Sequence, residues 1–165
     1  MFGRYALSMP SFRSECVVNK PLAEVWAMFQ DVEKLLPAMT PPEQGMVIEK
    51  VEPLPAQLGT KVYISTKSPI GRIKWVAEYV AFEPPHGTIT GDVARFVDLQ
   101  RKGPFKYWHH SHEFEAVTDH TTRCTDVITY TPPFGPLGWL GNIFVIRPAL
   151  KKMFEHRAKV MKTMF

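Results

Sequence analysis

Between residues 45 and 131 the chain repeatedly alternates apolar and polar side chains, and short breaks carrying Pro or Gly separate the runs. A period of two is the signature of half-buried β-strands, with successive side chains on opposite faces. The candidate strands are 45–52, 60–67, 72–82, 87–96, 104–116 and 121–131. The breaks "PLPAQLG", "KSPIG", "EPPHG" and "RKG" are short turns. A parallel crossover needs a dozen or more residues, so these strands pair antiparallel. In 72–82, Ile73, Trp75, Ala77, Tyr79 and Ala81 form one apolar and aromatic face, while Arg72, Lys74 and Glu78 form the other. Such a sheet has one face to cover.

The flanking segments supply the cover. Residues 1–10 read as an extension without periodicity. Residues 11–19 alternate as a strand, with Phe12, Ser14, Cys16 and Val18 on one face. Residues 20–31 read as a helix: Pro21 suits the first turn, and Leu22, Val25, Trp26 and Phe29 recur at helical spacing. A second short helix over 32–39 ends near Pro37. After "TPPFGPLGWLG" a long helix runs to the C-terminus, with Leu150, Met153, Phe154 and Met161 as its apolar stripe and Pro148 as a kink or restart. The expected class is α+β: about seven curved antiparallel strands wrapped on a long C-terminal helix. The space between sheet and helix is the default small-molecule site.

Composition narrows the class. The 165 residues fit one domain spanning 1–165, with 45% apolar and 22% charged residues, which argues against long disorder. The net charge of +4 forms no dense basic stripe, so no nucleic-acid partner is expected. No integral membrane segment, signal peptide or cofactor motif stands out, and cytoplasm is the default compartment. Cys16 and Cys124 lack metal-type spacing and read as reduced thiols.

The element order and local sequence resemble the helix-grip fold of the START/Bet v 1-like (SRPBCC) superfamily. "VVNKPLAEVWAMFQDVEKLLPAM" is similar to its opening strand and helices. "FKYWHHSHEFEAV", "TRCTDVITYTPPFGPLG" and "MFEHR" are similar to the last hairpin and final helix of a bacterial polyketide cyclase/dehydrase-like or ligand-binding subgroup. Trp108, His110, His112, Phe114, Asp126, Tyr130, Pro133, Gly135, Phe154 and Arg157 carry the match, which spans residues 11–165. The resemblance implies the fold. It also implies first and last strands that adjoin, bringing Cys16 near Cys124.

The stretch "YWHHSHEF" (107–114) holds three of the six histidines. On a strand, Trp108, His110, His112 and Phe114 share one face, and the two large apolar rings turn that face inward. His109 is left outside. On 121–131 neither face is cleanly apolar, and the resemblance implies that Asp126 and Tyr130 point inward. A hairpin turning near 118–120 sets Asp126 opposite either His110 or His112. Such a contact is expected to raise the histidine pKa. Arg157 falls on the sheet-facing stripe of the last helix and needs an acceptor, for which Asp126 is the first candidate.

The expected wall is therefore Trp75, Tyr79, Trp108, His110, His112, Asp126, Tyr130 and Arg157. The leading expectation is binding of a hydrophobic or aromatic small molecule (lipid-like, polyketide-like or isoprenoid-like). One alternative is a cyclase/dehydrase-like enzyme in which His110, His112 and Asp126 are the catalytic candidates. A second is an interaction module acting beside a protein partner. An H-x-H pair can chelate a metal, but only Asp126 offers itself as a third ligand, so no metal is expected.

Overall fold

The computed structural model describes residues 9–68, 71–87 and 89–164. Most of the expected N-terminal extension, residues 1–8, and two residues of the "KSPIG" break lie outside the described residues.

The chain runs β1 (Ser11–Val18), α1 (Leu22–Gln30), α2 (Val32–Ala38), a 3-10 turn (Pro42–Gln44), and six strands: β2 (Val47–Glu52), β3 (Lys61–Ser68), β4 (Gly71–Glu83), β5 (Val93–Lys102), β6 (Tyr107–Thr118) and β7 (Thr121–Thr131). The seven strands form one antiparallel sheet in the order β1-β7-β6-β5-β4-β3-β2. β1 and β7 adjoin, and Cys16 sits directly opposite Cys124, both as free thiols. A 30-residue helix closes the chain. It comprises α3 (Gly135–Gly141), a π-type segment (Asn142–Ile146) and α4 (Arg147–Met164). This is the helix-grip fold.

The last helix starts earlier than the sequence suggests: "GPLGWLG" is helical, not a linker. Pro148 neither stops nor restarts it. A proline removes one backbone N–H and crowds the carbonyl four residues back, here that of Phe144. The wider π-type turn immediately before α4 is where the helix absorbs that disruption.

β5 is the larger difference. It occupies 93–102, six residues beyond the expected start. Pro84, Pro85 and the Gly91 turn (φ +88) belong to the loop between β4 and β5. Asp92 ties that loop down, accepting a 2.8 Å hydrogen bond from the Gly87 amide. In β4, a register shift between Tyr79 and Ala81 reverses the alternation. Phe82, not Ala81, therefore joins the core beneath Trp26, with ring centroids 5.1 Å apart.

The main core forms between α1, α2 and the β3–β7 face. Trp26 also meets Phe96 and Phe114 edge-on at 6.2 and 6.1 Å. Losing so buried an aromatic costs about 3–5 kcal/mol. A second cluster of Trp108, Ile128, Tyr130, Leu150 and Phe154 packs α4 onto β6 and β7. Between the two clusters the inner face is left partly uncovered, and that gap positions the site.

Candidate binding cavity

A cavity of about 360 Å³ lies between the sheet, α2 and the last helix. Phe29, Val62, Ile64, Trp75, Ala77, Tyr79, Phe96, Phe105, Trp108, Leu150 and Met153 make most of its wall. Trp75 and Trp108 meet edge-to-face at 5.1 Å. Polar side chains converge at one place: Asp98, His110, His112 and Arg157 all reach the wall. The rim is formed by Leu36, Gln44 and Met46 on one side and by Val145 and Ala149 on the other. Phe144 (72% exposed) and Val145 (65%) leave large apolar side chains in the open beside it. Across this rim Lys152 meets Glu43 at 2.6 Å, and a ring nitrogen of His156 lies 3.1 Å from the Ala38 carbonyl oxygen.

Strict alternation along β6 delivers the histidines. Trp108, His110, His112, Phe114 and Ala116 are buried, whereas His109 is only half-buried on the outer face. β7 turns Cys124, Asp126, Ile128 and Tyr130 inward. The register sets Asp126 opposite His112, while His110 faces Ile128. His110 Nε2 nevertheless lies 2.9 Å from Asp126 Oδ1. β5 brings Asp98 opposite His110. Asp98 Oδ2 lies 3.1 Å from His112 Nε2 and 3.6 Å from His110 Nδ1. The two imidazoles, 3.8 Å apart between centroids, thus each span the same two carboxylates. His112 also stacks on Phe96 at 4.1 Å. From α4, Arg157 Nη1 donates a 2.7 Å hydrogen bond to Asp126 Oδ1.

Burial raises the cost of every charge here, so the signs must balance. Burial opposes ionisation of Asp126, but Arg157 foremost, with the two histidines, holds its carboxyl well below the ordinary carboxylate range. Asp98 is also held low against its burial, by His112 and then His110 and Arg157. His112 is likewise desolvated, yet the Asp126 and Asp98 carboxylates outweigh that and hold its pKa above the ordinary value. His110 goes the other way, down to about 4, from burial and then the charge of His112. The expected upward shift therefore holds for one histidine only. Tyr79 is pushed up by burial and then by Asp98.

Six of the eight residues expected on the wall reach it: Trp75, Tyr79, Trp108, His110, His112 and Arg157. Asp126 and Tyr130 do not. Asp126 sits behind the histidines, bonded to His110 and Arg157. Tyr130 is packed in the second core cluster and donates a 2.6 Å hydrogen bond to Asn142 Oδ1. Asp98 is the residue the sequence reading missed, because it ended this strand at Phe96. The signal was present: Ala94, Phe96 and Asp98 continue one alternating face.

A family described as "Polyketide cyclase / dehydrase and lipid transport" matches residues 18–156. No curated protein matches. Among solved structures, the chain is similar to the Zhui aromatase/cyclase of a Streptomyces species, at 14% identity and TM-score 0.64, with 93% of this chain and 91% of that one covered. It is similar to a START superfamily protein from Mycobacterium smegmatis (12%, TM-score 0.59, 93% and 95% covered). It is also similar to norcoclaurine synthase from Thalictrum flavum (12%, TM-score 0.58, 97% and 93% covered). At these identities the likeness establishes the fold. With the family match over most of its length, the chain belongs to the polyketide cyclase / dehydrase and lipid transport family.

Proposed function

We propose that this protein binds a compact hydrophobic or aromatic molecule in the cavity, with a polar end of that molecule at Asp98, His110, His112 and Arg157. One observation carries the reading: an apolar and aromatic wall around about 360 Å³, with its charged groups gathered at one end. Specific small-molecule sites share that design, and their volumes run from ~300 to 1,000 Å³. The apolar wall supplies affinity, and the polar end fixes orientation. The aromatase/cyclase and the lipid-transport name of the family support a hydrophobic ligand class. Exposed Phe144 and Val145 at the rim suit entry of an apolar molecule. Native mass spectrometry of the purified protein tests the reading. A co-purified hydrophobic molecule, displaced by small aromatic acids, supports it; a chain that neither carries nor takes up any such molecule overturns it.

The second reading is a cyclase- or dehydrase-like enzyme. It is favoured by the two imidazoles facing both the cavity and two carboxylates, an arrangement suited to proton transfer. Turnover of a bound polyketide-like ligand, lost in His110→Asn while binding persists, separates it from simple binding.

A further inference from the structure

We propose that Asp98, His110 and His112 form a binding site for one divalent transition-metal ion of the zinc or iron(II) type at the polar end of the cavity.

The spacing fits. One ligand atom from each of the three lies within 4.8 Å of the others, and all three residues are buried. Asp98 Oδ2 stands 3.1 Å from His112 Nε2 and 3.6 Å from His110 Nδ1. Ligands about 2.0–2.2 Å from a zinc ion, at angles between a right angle and tetrahedral, stand roughly 3–3.5 Å apart. The three atoms come from the adjacent strands β5 and β6, so one sheet register rather than a loop holds them.

Each imidazole also stands between the same two carboxylates. His112 Nδ1, on the side of the ring away from the proposed ion, is buried 2.8 Å from Asp126 Oδ1 without forming a hydrogen bond to it. A neutral imidazole has one N–H, yet each ring here faces two carboxylates. Whichever tautomer a neutral ring takes, one nitrogen directs a lone pair at a carboxylate oxygen. A cation among Asp98, His110 Nδ1 and His112 Nε2 removes the conflict. It takes both of those lone pairs and leaves the N–H on His110 Nε2 and His112 Nδ1, the two nitrogens that face Asp126 Oδ1. Metal-bound histidines ordinarily present their second nitrogen to such a carboxylate, and Arg157 already anchors this one.

The ligand set selects the ion. Two imidazoles and one carboxylate suit zinc or iron(II) rather than magnesium or calcium, which take oxygen ligands. The sequence pointed to Asp126 as a third ligand; the structure supplies Asp98 instead and puts Asp126 behind the rings. All three ligands line the cavity, so the remaining coordination positions face it. With the ion bound and both histidines neutral, the charges of Asp98, Asp126, Arg157 and the ion sum to plus one. That favours a cavity ligand with a single anionic oxygen head, such as a carboxylate or phenolate. This last step rests on the ligand-binding reading; the metal site does not.

The test uses the full-length protein stripped with a chelator, with zinc and cobalt(II) as probes and no organic ligand added. The expected result is one metal per chain retained after desalting, with cobalt(II) giving the visible absorption of a site of low coordination number. Asp98→Asn and His112→Gln lose the metal, Asp126→Asn weakens it about 10–100-fold, and the exposed-face control His120→Ala keeps it. If a ligand variant does not fold, X-ray absorption of the cobalt(II) wild type decides by showing two imidazoles in the first shell or not. Failure of the wild type to retain stoichiometric metal, retention by folded Asp98→Asn and His112→Gln, or a shell without two imidazoles overturns the proposal.

Discussion

Arg157 Nη1 lies 2.7 Å from Asp126 Oδ1, and both side chains are about nine-tenths buried. This pair joins the last helix to β7, directly behind the two cavity histidines. Met39 Sδ, 3.3 Å from Arg157 Nε, and the Phe154 ring, 5.3 Å from its guanidinium carbon, complete the packing around the arginine.

Breaking the pair is predicted to cost much more than replacing it. Asp126→Ala leaves a buried guanidinium without its carboxylate and should destabilise the protein by about 3–5 kcal/mol. The double variant Asp126→Leu/Arg157→Met should recover a large part of that loss. Urea unfolding of the single and double variants measures both; a single-variant loss below ~1 kcal/mol would show that the pair does not act as a buried unit.

Stability of the chelated, metal-free protein should peak near neutral pH. His110 is faced by Asp98 from β5, His112 on its own strand, Asp126 from β7 and the Phe154 ring from α4, and Arg157 of α4 pairs with that same Asp126. Its folded pKa, about 4, is below the unfolded 6.5, so the unfolded chain binds the extra proton between those values. Stability therefore falls on acidification from 6.5 towards 4. The depressed carboxyls of Asp98 and Asp126 add to the loss from pH 4 downward. His112 is raised, so its contribution is complete below 6.5 and disappears as pH rises through its folded value. Unfolding midpoints across pH check this: His110→Asn should flatten the acid limb, and His112→Asn the alkaline one.

Filling the rim should block entry without unfolding the protein. Ala149 lines the cavity but is exposed on the last helix, so a larger side chain there has space towards solvent. Ala149→Phe is predicted to keep wild-type stability within about 0.5 kcal/mol while abolishing uptake of aromatic acids. Thermal melts and ligand titration separate the two effects.

How far the sequence reached follows from its periodicity. The alternation of β6 was unbroken, so the inward set of Trp108, His110 and His112 could be read directly. The inward face of β7 could not, because the polar Asp126 is compensated only in three dimensions, by Arg157 about thirty residues later. Asp98 was lost for a related reason: two prolines and two glycines lie between β4 and β5, and the apparent strand was placed in the loop that they form. The reversal after Tyr79 comes from a bulge, which inserts a residue without a distinct sequence mark. The helical start at Gly135 was hidden by glycine and proline, which usually punctuate rather than build helices.

Occupancy of the cavity is checked by titrating the protein with a panel of one- to three-ring aromatic acids and medium-chain fatty acids, following tryptophan fluorescence. Trp75 and Trp108 form part of the cavity wall, so an occupant must change their emission. Saturable binding of one molecule per chain is expected for at least one compact aromatic acid, and is lost in Ala149→Phe. Absence of saturable binding across the panel, or binding that Ala149→Phe leaves unchanged, would contradict it.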